Sequence, residues 1–153
     1  MSDIERRLAD LGITLPAPVA PVANYVPWAR SGNSVYVSGQ ISMGPNGLVK
    51  GRLGDDMDIE AGQAAARLCA INLLAQFKSA CGGDLSKVAR VVKLGGFVCA
   101  APDFFDIPKV INGCSDLMVD AFGDLGRHAR SAVSCPALPL GAAVEVDAVI
   151  EVT

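Results

Sequence analysis

The sequence predicts an α+β domain in which two long helices cover one face of a single sheet. Three observations carry this. Two stretches, 59–81 and the one that begins at Pro108, keep apolar residues at helical spacing. Strand-like runs flank them at 26–30, 34–41, 89–100 and twice within 130–152. The last run alternates: Val144, Val146, Ala148, Ile150 and Val152 fall on one face, and Glu145, Asp147, Val149 and Glu151 on the other. That is the period of a strand with one face on the core and the other left for a second cover.

The elements follow in order. Residues 2–11 read as a short helix, with Ser2 as N-cap, a stripe of Ile4, Leu8 and Leu11, and Gly12 as its stop. Pro16, Pro18, Pro21 and Pro27 make the next segment extended, and its apolar content lays it along the protein surface. Ser31-Gly32-Asn33 joins two strands as a hairpin, and Gly39 marks a bulge or a ligand's approach to the backbone. Met43 to Gly47 is a turn before a brief strand at Leu48-Val49-Lys50. Asp58 caps the first long helix, which Gly82-Gly83 ends, and its apolar residues occupy more than one side. Gly95-Gly96 inside the 89–100 strand predicts a bulge or close backbone approach. In the second long helix Val110, Ile111, Cys114, Leu117, Met118, Ala121, Phe122 and Leu125 keep the helical period, and Gly123 and Gly126 end it. Two apolar runs around Pro136-Ala137-Leu138-Pro139-Leu140-Gly141 then read as a closing hairpin. The order is β-β-(β)-α-β-α-β-β.

With 153 residues, 51% hydrophobic and 19% charged, the chain has the makings of one core and none of the signs of disorder. A net charge of −3 and a single histidine give no basic field and argue against nucleic acid. No run reaches membrane-spanning length, and the N-terminus lacks the apolar core of a signal peptide. The five cysteines show no CxxC spacing, so they read as reduced thiols of a cytoplasmic protein and no metal site is expected. So apolar a chain of this size points to a buried subunit interface.

Arg130 and Glu145 are the first candidates for chemistry. If the last two strands are neighbours, a guanidinium and a carboxylate on them can bind an anion and handle a water. The plainer alternative is an ordinary ion pair of Arg130 with Glu145, Asp147 or Glu151. Burial would raise the Glu145 pKa and a nearby Arg130 would lower it, and the sequence leaves that balance open. Tyr25 is either a hydrogen-bonding wall or an interface tyrosine. Ser38-Gly39 is either a ligand contact or a bulge. His128 reads as an exposed loop residue, and Cys99 and Cys135 as inert strand thiols.

Three stretches, read together, resemble the Rid/YjgF family, also described as endoribonuclease L-PSP. They are Tyr25-Val26 with Ser38-Gly39-Gln40-Ile41; Gly96-Phe97-Val98 leading to Asp103-Phe104; and Arg130-Ser131-Ala132-Val133 with Leu138-Pro139, Gly141-Ala142 and Val144-Glu145-Val146. The resemblance runs from about Asn24 to the end. It implies a chorismate-mutase-like domain over 24–153, preceded by an arm at 1–23, and a homotrimer with clefts between subunits. It implies hydrolysis of reactive 2-imino carboxylates to 2-keto acids and ammonia, without metal or organic cofactor. By position, Arg130 would bind the substrate carboxylate and Glu145 would hold the attacking water. Tyr25, Ser38, Gly39 and Phe97 would line the cleft. Ala132 stands where deaminase members carry a cysteine; its backbone carbonyl can keep the contact to water. Asn112 lies near the family's cleft-facing asparagine. The departures, at Ala132, in the arm and along the second long helix, mark a divergent subgroup. They keep a second function in view: a trimeric, non-catalytic binder of small carboxylate metabolites. The ribonuclease of the older family description is disfavoured by the acidic charge balance and the lack of a basic or stacking patch.

Overall fold

A computed structural model describes residues 1–20 and 23–153, so Pro21 of the extended segment lies outside the described residues. Helix α1 (Asp3–Asp10) begins in a capping box: Ser2 Oγ accepts from Glu5 N–H and the Glu5 carboxylate accepts from Ser2 N–H. The Lys78 ammonium, 2.7 Å away, with the Ser2 hydrogen bonds, holds the Glu5 carboxyl down at about 2. Leu8 is buried, and Arg7 Nη1 donates to the Ala121 carbonyl (3.2 Å), so α1 is fastened to the rest of the fold.

Strands β1 (Trp28–Ser31) and β2 (Ser34–Ile41) form the expected hairpin about Gly32-Asn33. In place of one brief third strand there is a separate small ribbon, β3 (Met43–Gly44) with β4 (Gly47–Leu48). Helix α2 (Ile59–Ala80) starts at Asp58, whose carboxylate accepts from Ala61 N–H at 2.8 Å. It is covered on several sides, with Ala66, Cys69, Leu73, Leu74 and Phe77 all fully buried. Strand β5 (Val88–Cys99), helix α3 (Ile107–Phe122), β6 (Ala129–Cys135) and β7 (Val144–Val152) complete the chain. Helix α3 stops at Phe122, where Gly123 turns to positive φ, so Leu125, expected in its apolar stripe, lies exposed in a 3₁₀ turn.

The main sheet has the order β1-β2-β7-β5-β6. Both long helices pack on one face of it, over Val35 and Val37 of β2, Leu94 and Val98 of β5, and Val146, Ala148 and Ile150 of β7. The closing hairpin expected at 130–152 does not exist. β6 pairs in parallel with β5, and β7 enters the sheet between β2 and β5. The physical reason is in the connections. β5 reaches β6 through α3, the helical crossover that a parallel pair requires. The Pro-rich segment after β6 makes a 3₁₀ turn at Pro139–Gly141, and Ala143 then accepts from Cys99 N–H (2.9 Å) across the end of β5. Arg130 and Glu145 are therefore on strands separated by β5.

Gly95-Gly96 marks close approach rather than a bulge; the irregularities of β5 fall earlier, between Val88 and Arg90 and between Val91 and Lys93. A Cβ on Gly96 would sit 2.7 Å from Ile111 of α3, and one on Gly95 would crowd the Asp147 carboxylate on the other face. One dipeptide thus admits a helix above the sheet and an acid below it.

Candidate functional site

The face of β7 turned away from the helices carries Glu145 and Asp147. Across from them, β2 breaks register between Val37 and Gln40, so Ser38 and Gly39 form a bulge. Gly39 has no side chain, and the Glu145 carboxylate fills that space: a Cβ there would lie 2.9 Å from Glu145 Cδ and 3.0 Å from Oε1. Ser38 N–H donates to Pro27 O (2.9 Å) and Ser38 Oγ to Val26 O (2.8 Å), which pins the segment carrying Tyr25 to the bulge. Tyr25 is 54% exposed. Phe97 of β5 is paired with Glu145 on one side and Val133 on the other, half-buried on this same open face. Tyr25, Ser38, Gly39, Phe97 and Glu145 are thus brought to one region.

Burial, with the neighbouring charge of Asp147 second, pushes the Glu145 carboxyl above its ordinary value. Asp147 is also raised by burial, against the opposing pull of the Gly95 backbone and Lys93. Within one chain burial prevails over Arg130, because Arg130 is on the other side of the sheet.

Arg130 pairs with Leu94 and Ala132 with Gly96, so both lie on the helix side of edge strand β6. Arg130 is met there by α3. Its Nη1 donates to Asn112 Oδ1 (2.8 Å) and to Ser115 Oγ (3.1 Å). These two residues are one turn apart on one helix face. None of the ion pairs among the described residues includes Arg130. His128, expected on an exposed loop, is half-buried and lies 2.9 Å from Ser115 Oγ through Nε2. Its Nδ1 contacts Gly126 O at 2.6 Å. Burial lowers the His128 pKa, and the Arg130 charge acts in the same direction. Ser115 was missed in the sequence; its only signal there is a spacing of three from Asn112.

Cys114, fully buried on the core face of α3, has its thiol pushed up to about 12 by burial. Cys135 is raised likewise. Neither is an active nucleophile at neutral pH. No cluster of three or more His, Cys, Asp or Glu side chains among the described residues is arranged to hold a metal ion, and no described helix is long and apolar enough to cross a membrane.

The sequence-predicted residues fall into two groups, Arg130 and Ala132 at the β6 edge and the others on the open face. Fold and site together define a small α+β domain with an arginine on the helix side of its sheet and a carboxylate of raised pKa on the open side. The chain belongs to the family described as "YjgF/chorismate_mutase-like, putative endoribonuclease", whose model matches residues 5–152. Its fold is chorismate-mutase-like. It is 47% identical to protein TCP17 of Trypanosoma cruzi over 150 residues, covering 97% of this chain and 93% of that one. It is 30% identical to a 2-iminobutanoate/2-iminopropanoate deaminase of Dermatophagoides farinae, over 90% of this chain and 93% of that one. The crystal structure of Atu1372 from Agrobacterium tumefaciens, of unknown function, matches with a TM-score of 0.92 at 50% identity, covering 98% of this chain and 92% of that one.

Proposed function

We propose that the protein hydrolyses small 2-imino carboxylates to 2-keto acids and ammonia, without a cofactor, in clefts between the subunits of a homotrimer. The observation that supports this most is the opposite facing of Arg130 and Glu145. One chain alone cannot bring them to one substrate, whereas a second copy laid on the open face can set its β6 edge against Glu145. A cyclic trimer built by such a heterologous contact closes on itself. In this reading residues 1–23 are an arm on a single domain of 24–153. The five free thiols fit a reducing compartment, so the cytoplasm belongs to the same proposal.

The chemistry follows from the groups. Arg130 of one copy binds the substrate carboxylate and fixes the adjacent imine carbon. Glu145 of the neighbouring copy takes a proton from water as its oxygen bonds to that carbon in the protonated imine, giving a neutral carbinolamine. Glu145 then returns that proton to the nitrogen, the C–N bond breaks and ammonia leaves, and the hydroxyl proton passes to Glu145 as the carbonyl forms. Protonated imine plus water balances keto acid, ammonia and the proton left on Glu145. A raised pKa suits Glu145 to these proton steps, and such help is worth about 10²–10⁴-fold. Tyr25, Ser38, Gly39 and Phe97 wall the cleft, and the Ala132 carbonyl contacts the water.

The test generates imines in situ from several amino acids with an amino-acid oxidase and follows imine loss. Wild type should accelerate it, and Arg130→Ala and Glu145→Gln should not. Wild type no faster than buffer for every precursor would overturn the reading. Ala132, in place of the expected cysteine, favours one alternative, a non-catalytic carboxylate binder. That alternative predicts a 2-keto acid raising the melting temperature of wild type, but not of Arg130→Ala, without turnover.

A further inference from the structure

The Arg130 guanidinium is held from behind by a chain of hydrogen bonds whose direction can be read atom by atom. Gly126 O only accepts, so at 2.6 Å the His128 Nδ1 carries the proton. In the neutral ring Nε2 is then a bare acceptor, and the Ser115 hydroxyl 2.9 Å away must donate to it. That leaves the Ser115 lone pairs for Arg130 Nη1 at 3.1 Å, while Asn112 Oδ1 takes the other Nη1 proton at 2.8 Å. Burial and the adjacent guanidinium both favour the neutral histidine that this order needs. Both Nη1 hydrogens are thereby committed to protein. Nε–H and Nη2 have no hydrogen-bond partner among the described residues. They form the side-on edge of the fork, two parallel donors at carboxylate spacing.

We propose that Ser115 and His128 are positioning residues that lock Arg130 so that its Nε–Nη2 edge receives the substrate carboxylate side-on. This rests on the reading of Arg130 as the carboxylate anchor. Without the hydroxyl, one Nη1 donor is freed and the guanidinium can rotate to offer its end-on edge instead. The bound carboxylate then swings, and the reacting carbon with it.

The test uses pyruvate as probe, with dissociation constants for wild type and four variants of the full chain. Ser115→Ala and His128→Leu should weaken pyruvate binding about ten-fold, as expected for loss of a hydrogen bond to a charged group. Ser115→Thr keeps the hydroxyl, and His128→Gln keeps an acceptor where Nε2 stood. Both should stay within about two-fold of wild type. A merely structural role would not be restored by atoms chosen in this way. Nitrogen-15 spectra of the arginine side chains supply a second readout without ligand. Slow rotation about the Arg130 Cζ–Nη1 bond should be seen in wild type, Ser115→Thr and His128→Gln, and be lost in Ser115→Ala and His128→Leu. Equal pyruvate affinity in all five proteins, or unhindered Nη1 rotation in wild type, overturns the proposal. Wild type that binds no pyruvate overturns the anchor reading, and the spectra then decide the locking of the guanidinium alone.

Discussion

At Gly39 the position demands a residue without a side chain, because Glu145 occupies the space a Cβ would need. In Gly39→Ala the carboxylate must shift by a few tenths of an ångström. Misplacement of about 1 Å can cost about 10²-fold in a positioned reaction, so this smaller shift should lower imine hydrolysis about ten-fold. The bulge is at the surface, and the urea midpoint should shift by less than about 1 kcal/mol equivalent. A second expectation concerns pH. Glu145 must be ionised to accept a proton, and its folded pKa lies above the ordinary value of 4.5. Activity should therefore fall on acidification through that raised value. Stability takes the opposite sign. Between 4.5 and the raised value the folded state binds more protons than the unfolded one, so this contribution is present at low pH and lost as pH rises. Thermal melts of wild type and Glu145→Gln across that window would show whether the slope belongs to this group. Among single residues, hydrogen-bond partners were the least legible. Arg130 was visible as a fork in need of an acid, yet it is met by Asn112 and Ser115. Neutral acceptors on a helix leave no charge pattern to read.

The elements themselves were largely legible, because caps and periodicity act locally. Ser2, Asp58 and the glycines after α2 each do in the structure what their residue type suggests. The pairing of strands is non-local, and there the reading failed at β6 and β7. Two apolar runs around a turn look like a hairpin whether or not another strand is inserted between them. The better guide was the crossover: a strand, a long helix and a strand commonly end in parallel pairing. The contact of the two helices yields a further prediction. A Cβ on Gly113 of α3 would lie 2.1 Å from the backbone oxygen of Gln63 in α2, an atom that cannot turn aside. Alanine favours a helix over glycine by about 1 kcal/mol, but forcing the helices apart typically costs about 1–3 kcal/mol or more. Gly113→Ala should therefore lower the unfolding free energy in urea, net by up to about 2 kcal/mol. A variant more stable than wild type would show that the crossing has slack.

For the whole molecule, the open face is the feature the sequence announced through alternation alone. Glu145 and Asp147 share it with Tyr36 and Val133, which are 55% and 47% exposed in the single chain. Mixed assemblies test what covers it. Arg130→Ala and Glu145→Gln chains should each be inactive alone. Co-expressed, they should recover activity, because some clefts join an intact Arg130 from one chain to an intact Glu145 from its neighbour. Random mixing in a cyclic assembly restores about a quarter of the clefts. No recovery in mixed assemblies verified by mass would place both residues in one chain's site and remove the intersubunit cleft.

The separation of Arg130 and Glu145 by the thickness of the sheet has a genetic corollary. In the proposed trimer each chain lends its arginine to one cleft and its carboxylate to the next. An allele whose product still assembles but has lost the use of both faces would therefore silence both clefts that it borders. A heterozygous cell would lose more than half of its activity from half of its chains. Dominance of that kind, set against the recessive behaviour of an allele that fails to fold, would make inheritance itself a report on where the two residues stand.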